Sequence, residues 1–312
     1  MDKQNLNSGI SPIILGTWAM GGNHWGPCDD ADALRAIETA IDNGINTIDT
    51  APVYGNGHAE ALVGKAIQGK REKVFLATKC GLDMYANTYQ RNLSPSFIEH
   101  DLAESLKRLK TDYVDLYQCH WPDPQTPVEE TMAALLRFKD QGKLRYIGVS
   151  NYTTAELEVA IRCTSLFSLQ SQYSLLERTV EDEILPWCHE KGVRFLSYGS
   201  LGAGMLTGKY TECMRFPSGD ARSFFYRFFK PRYWTHVCKL VDTMKRIASS
   251  RGAKPGIIAI TWLLKQPGVT SVIVGARSAQ QVVDNIPLGD VELTDSDMEL
   301  LDYFSRKVYS EK

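Results

Sequence analysis

The feature that most constrains this chain is a repeated order of elements. Short apolar, β-branched runs are each followed by a helical stretch, eight times over. The strand-like runs are Ile13–Thr17, Asn46–Asp49, Val74–Lys79, Tyr113–Cys119, Leu144–Ser150, Leu169–Tyr173, Arg194–Tyr198 and Ser271–Val274. Between them, helical patterns cover Asp30–Asn43, His58–Ile67, Ser94–Leu109, Pro127–Gln141, Thr153–Ile161, Glu181–Lys191, Trp234–Ser250, Pro255–Lys265 and Ser278–Asn285. Parallel strands need such crossovers, and eight β-then-α units without a break in composition predict one closed (β/α)₈ barrel over residues 1–312. The punctuation agrees. Gly44 stands where a helix ends on a left-handed residue, and Ser94-Pro95 has the form of an N-cap followed by proline at the first helical position. A doubly wound open sheet is the competitor, but Gly16-Thr17-Trp18 after the first strand is not the GxGxxG turn that such a sheet uses for a dinucleotide.

Composition narrows the function. The 312 residues carry a net charge of −2 with 43% hydrophobic content, and acidic and basic residues are interleaved. No basic run suits nucleic acid, and no apolar stretch reaches the ~20 residues of a membrane span. Met1-Asp2-Lys3-Gln4-Asn5 lacks the apolar core of a secretory leader. Seven cysteines without a CxxC pair suit reduced thiols, so a cytoplasmic location is expected. The six histidines form no HxH or HExxH word, which disfavours a metal hydrolase, and no metal is expected.

In a barrel of this kind the active site lies on the loops after the strands. Polar residues should therefore collect at strand carboxyl ends, and here they do. Asp49 ends the second strand, with Tyr54 just beyond Pro52. Lys79 ends the third, His120 follows the fourth, and Ser150-Asn151 ends the fifth. Gln172, Tyr198 and Gly275 mark the sixth, seventh and eighth. A carboxylate and a phenol at the end of a buried strand suit proton transfer. Taken singly, Asp49 could instead cap the helix at 58–67 and Tyr54 could simply pack.

The ordered set of words resembles the aldo-keto reductase superfamily over nearly the whole chain. It runs Leu15-Gly16-Thr17-Trp18, Asp49–Gly55, Ala77-Thr78-Lys79, Tyr117–Asp123, Gly148-Val149-Ser150-Asn151, Gln170–Leu175, Tyr198–Tyr210 and Val274-Gly275-Ala276-Arg277. Within it, the wording is most similar to the bacterial branch of inositol-utilisation and general-stress reductases. The resemblance implies a catalytic tetrad of Asp49, Tyr54, Lys79 and His120, with Tyr54 as general acid in reduction and general base in oxidation. It implies reversible reduction of an aldehyde or ketone, of sugar or inositol origin among the candidates, with NADPH/NADP+ as cofactor. On physical grounds Lys79 is expected to draw the Tyr54 pKa down from about 10, and Asp49 to hold Lys79 in place.

The same resemblance implies a cofactor site. Gly16, Thr17, Trp18, Asp49, Ser150, Asn151 and Gln172 would surround the nicotinamide, and Tyr198 would stack on it. Gly199, Ser200, Leu201, Gly202, Gly204 and Lys209 would meet the pyrophosphate. Gly275, Ala276 and Arg277 would take the 2′-phosphate, and Gln281 and Asn285 would face the adenine. Trp18, Trp25, Tyr54, Tyr85, His120 and Trp121 would line a pocket for a small carbonyl or polyol substrate. The aromatic and basic stretch Arg222–Trp234 is read as a loop packed on the rim, with a lid as its functional alternative. Family members that associate with ion channels supply the other reading of the whole chain, a non-catalytic, nucleotide-binding regulatory subunit.

Overall fold

Eight parallel strands close on themselves, and the period of two along each strand decides what fills the barrel. The computed structural model describes residues 9–85, 89–285 and 291–309; the N-terminal pentapeptide read above for a leader lies outside them. The ten strands are β1 Ile13–Gly16, β2 Thr47–Asp49, β3 Phe75–Cys80, β4 Leu82–Asp83, β5 Gln90–Arg91, β6 Val114–Cys119, β7 Leu144–Ser150, β8 Ser168–Gln172, β9 Arg194–Tyr198 and β10 Val269–Gly275. The barrel order is β1-β10-β9-β8-β7-β6-β3-β2, and β4 and β5 form a separate antiparallel pair.

Successive strand residues point to opposite faces. Ile13, Leu15, Ile48, Leu76, Tyr117, Cys119, Ile147 and Val149 pack outward, in one continuous core with the helices. Ile14, Ala77, Leu116, Leu196 and Ile273 form a second cluster that fills the lower lumen. The residues two positions further along β3, β6 and β9 share that inward parity, and they are Lys79, Gln118 and Tyr198. The lumen is thus apolar below and polar at its carboxyl rim, where loops can reach it.

The helices follow the expected order, with ends shifted by a few residues. Asn43 caps the helix Asp30–Asp42, and Gly44 follows at φ 83°. Pro95 opens the helix Pro95–Leu109, but the Ser94 hydroxyl donates to Asn92 Oδ1 at 2.7 Å instead of capping. The helix His58–Ala66 is capped by Gly57, in the left-handed region, so Asp49 is not its cap. Two helices were not anticipated, the short Ala221–Phe224 and the longer Asp295–Lys307. Asp295–Lys307 begins with a reciprocal capping box between Thr294 and Asp297, and its Ser305 hydroxyl donates to Leu175 O at 2.6 Å. Among the described residues, no helix is long and apolar enough to cross a membrane.

Candidate active site

The rim residues converge because β2, β3 and β6 are consecutive in the barrel. Asp49 is the last residue of β2 and Lys79 lies one residue from the end of β3. The Lys79 ammonium donates to Asp49 Oδ1 at 2.6 Å, to Thr50 O at 3.0 Å and to Tyr54 Oη at 3.1 Å. Its three N–H bonds are therefore all used, as a lysine with no exposed surface requires. Tyr54 reaches it from a tight turn, with Tyr54 N donating to Ala51 O. The Tyr54 ring stacks on Trp18 at 6.0 Å and meets the His120 ring edge-on at 5.9 Å.

Two glycines make this turn possible. A Cβ on Gly55 would lie 2.2 Å from Gly21 O, and one on Gly21 would lie 2.5 Å from the Tyr54 carbonyl carbon. The backbones of the first and second rim loops are in direct contact there.

Burial sets the proton affinities. Burial first, and then the Asp49 carboxylate, raise the Tyr54 pKa well above that of a free phenol. This corrects the expected downward shift: low dielectric around the ring outweighs a lysine whose charge is already taken up by Asp49. Burial lowers the Lys79 pKa, with Asp49 opposing it. Burial and the Lys79 charge push His120 well below its ordinary value, so its imidazole is neutral. The Tyr54 phenol therefore keeps its proton and the His120 imidazole does not gain one.

A cavity of ≈ 760 Å³ opens over this group. Its walls include Asp49, Tyr54 and His120 together with Trp18, Trp25 and Trp121. Gly16, Thr17, Ser150, Asn151 and Tyr198 also line it, as do Gly199, Ser200, Leu201, Gly204 and Lys209. Gly275, Ala276, Arg277, Gln281 and Asn285 line its far end. The Asn151 amide donates to His120 O and Ser150 Oγ, both at 3.0 Å, and its Oδ1 accepts from Tyr198 Oη at 2.9 Å. That network fixes the Tyr198 ring, and Asn151 sustains it at φ 61°, a conformation its short side chain tolerates.

Three residues named from the sequence stand elsewhere. Gln172 faces an adjoining groove, while Gln170, one inward position lower on β8, lines the cavity and donates to Asp49 Oδ2 at 2.9 Å. Tyr85 is 44% exposed and packs on His100 and Phe97, away from the cavity. Gly202 is buried, and a Cβ there would meet Leu176 at 2.7 Å, so it serves packing.

The stretch 222–234 is built into the site. Asp220 caps the short helix Ala221–Phe224 and takes a two-pronged pair from Arg222 at 2.8 and 2.6 Å. Ala221 N donates to His24 O at 2.8 Å. Phe225 then packs edge-on against Trp18 at 5.8 Å, and Tyr226 lies 6.2 Å from Trp25. Arg222, Phe224, Phe225 and Tyr226 all line the cavity, so the segment packs on the rim and also forms a wall. Among the described residues, no group of three or more His, Cys, Asp or Glu is arranged to hold a metal ion.

Comparison with known proteins agrees with this geometry. A model described as the aldo/keto reductase family matches residues 12–306. Aldo-keto reductase YhdN of Bacillus subtilis is 42% identical over 275 residues, covering 87% of this chain and 83% of that protein. The NADH-specific methylglyoxal reductase of Escherichia coli is 34% identical over 311 residues, covering 94% of each chain. The glycerol dehydrogenase structure from Gluconobacter oxydans superposes with a TM-score of 0.87 at 36% identity, over 97% of this chain and 94% of that one. An aldo-keto reductase from Klebsiella pneumoniae, solved in complex with NADPH, superposes at 0.75 with 28% identity, over 95% and 91%.

Proposed function

The chain belongs to the aldo/keto reductase family, and from that premise we propose that it is an NADP(H)-dependent oxidoreductase interconverting a small aldehyde or ketone and its alcohol. The observation that carries the reading is the buried group in which Lys79 Nζ bonds both Asp49 and the Tyr54 hydroxyl beneath an aromatic cavity. When bound, NADP(H) supplies a hydride to the carbonyl carbon or takes one from the alcohol.

The chain's own residues do the rest. A carbonyl oxygen gaining negative charge needs a proton donor and fixed dipoles around it. Tyr54, whose raised pKa keeps it protonated, donates from its hydroxyl in the reductive direction. The Lys79 ammonium at 3.1 Å stabilises the phenolate left behind, and Asp49 holds that ammonium still. His120, neutral and beside Tyr54, offers an imidazole N–H to the same oxygen. In oxidation the Tyr54 oxygen takes the proton back. Trp18, Trp25 and Trp121 keep water from the reacting atoms and offer rings to a short carbon chain.

The donor set fits a dinucleotide. At Gly204, whose φ is 87°, a Cβ would lie 2.8 Å from Lys209 Nζ, so the missing side chain leaves the room that the ammonium occupies. That pairing of bare backbone and ammonium suits a pyrophosphate. The Arg277 guanidinium is steered to the far end by the Trp25 and Pro27 carbonyls, each at 3.3 Å. A fork-shaped cation there favours a 2′-phosphate, and so NADP(H) over NAD(H). A relative is described as NADH-specific, so both nucleotides belong in the assay.

The test is titration with NADPH and NADH, followed by turnover of wild type and Tyr54→Phe on a panel of aldehydes, ketones and polyols. NADPH binding with turnover lost in the variant is the expected result. Binding without turnover of any substrate would favour a regulatory subunit of the same fold. No nucleotide binding at all would overturn the cofactor site.

A further inference from the structure

The Asp49 carboxylate has a second oxygen, and what it binds reaches across the barrel lumen. Oδ1 takes Lys79. Oδ2 accepts from Gln170 Nε2 at 2.9 Å and Gln118 Nε2 at 3.4 Å. The two amides also meet each other, with Gln170 Nε2 lying 3.5 Å from Gln118 Oε1. A line of polar groups therefore crosses the lumen from β8 through β6 to β2, and its two ends, Gln170 and Asp49, line the cavity.

Gln118 is placed for this by the barrel itself. It stands beside Lys79 in the β3–β6 register and beside Gly148 in the β6–β7 register. A Cβ on Gly148 would sit 3.1 Å from Gln118 Cγ, so the glycine leaves the space that the side chain occupies. Gln118 has no exposed surface and does not line the cavity. Leu116, the next inward residue below it on β6, is apolar. A leucine or methionine would fill that position without the cost of burying an amide. The Gln118 amide is instead directed to Asp49 and Gln170.

Resting on the oxidoreductase reading above, we propose that Gln118 is a positioning residue for proton transfer. It holds Asp49 Oδ2 so that Oδ1 stays on Lys79, and it turns the Gln170 amide. With both Gln170 N–H groups directed at Asp49 Oδ2 and Gln118 Oε1, the Gln170 carbonyl oxygen is left as an acceptor for whatever the cavity holds. One buried glutamine thus sets two things at once, the aim of the lysine and the polarity of the cavity floor.

The charged and titratable groups around the pair come from several elements. Asp49 faces it from β2, and Lys79 from β3 with Tyr54 above. His120 follows β6, Glu60 acts on Lys79 from the helix 58–66, and Tyr198 on β9 interacts with Tyr54. Among the described residues, Asp49 Oδ2 takes its hydrogen bonds from the two amides.

The experiment compares wild type, Gln118→Met and Gln118→Glu for thermal stability, NADPH binding and the pH profile of kcat/KM. Gln118→Met keeps the volume and removes the donor. It should leave NADPH affinity within about twofold and lower kcat by roughly tenfold, the size of one hydrogen bond to a charged group. Gln118→Glu keeps the shape and can donate to Asp49 only while protonated. The two carboxyls then titrate as a coupled pair. Its activity should approach wild type in acid and fall as pH rises through the loss of the shared proton, an alkaline fall set by the new pair and absent from wild type. If both variants follow the wild-type pH profile, Gln118 only fills space and the proposal is overturned, whatever happens to stability. Should Gln118→Met fail to fold, the Gln118→Glu profile decides alone. Wild-type turnover that depends on Tyr54 is measured alongside, so failure of the oxidoreductase reading is seen separately.

Discussion

Breaking the Asp49–Lys79 pair from one side should cost more than removing it altogether. The side chains are 4% and 0% exposed, and the Nζ–Oδ1 distance is 2.6 Å. Two charges at this depth are tolerable only together, because each is the other's main replacement for water. Lys79→Met leaves a carboxylate held by two neutral amides. Asp49→Asn leaves an ammonium held by Thr50 O and the Tyr54 hydroxyl. Each single change should cost about 3–5 kcal/mol, a fall of roughly 5–8 °C in midpoint for a chain of this size. The double variant strands no charge, so it should recover at least about 2 kcal/mol of the summed loss. Thermal and urea unfolding of the four proteins closes the cycle. A pH series adds a second check. Burial lowers the Lys79 pKa in the folded protein, so just below about 10.5 the unfolded chain binds the extra proton and stability rises with pH. Asp49→Asn removes the main influence that raises that pKa, so its window extends further down and its deficit shrinks as the solution becomes alkaline. Lys79→Met has no such group and should show no such recovery. Strict additivity in the cycle, with equal pH dependence in both single variants, would refute the reasoning.

The remaining expectations concern other parts of the same site. His120 is held neutral by burial and Lys79, so below about pH 6.5 the unfolded chain binds a proton that the folded one does not. Between pH 7 and 5 this should cost wild type about 2 kcal/mol that His120→Asn does not lose, as read by urea unfolding at both values. Arg277→Leu should weaken NADPH binding by about 10- to 100-fold and leave NADH nearly unchanged, the loss of a charge-assisted contact with a phosphate; equal weakening of both nucleotides would remove the 2′-phosphate assignment. Gly21→Ala places a methyl within 2.5 Å of the Tyr54 backbone. It should lower kcat by about 100-fold through displacement of the phenol, while fluorescence titration shows NADPH still bound.

How much of this was legible in the sequence follows from which physical signal each residue carries. Asp49, Tyr54, Lys79 and His120 stood out, with other rim residues, as polar groups beyond apolar strands, but their grouping as a tetrad came with the family resemblance. Strand order and most helix ends followed from period and punctuation. Gln172 and Gln170 show the limit. They lie on one strand with the same inward parity, so periodicity cannot choose between them. The choice depends on height in the barrel: Gln172 pairs with Tyr198 at the end of β9, whereas Gln170 pairs with Ser150 and with Leu196, two residues lower on β9. Barrel stagger is a property of all eight strands together and is not written in any one of them. Gly21 was silent for a related reason. Its requirement is a contact with Gly55, 34 positions away in sequence, and nothing beside it announces the approach. Tyr54 failed differently. Its neighbours were correctly foreseen, but the direction of its shift turns on burial, and burial outweighed the lysine. Gln118 could have been found. It shares the parity of Leu116 and His120, so an amide at that position had to face the lumen, where a buried amide needs hydrogen-bonding partners.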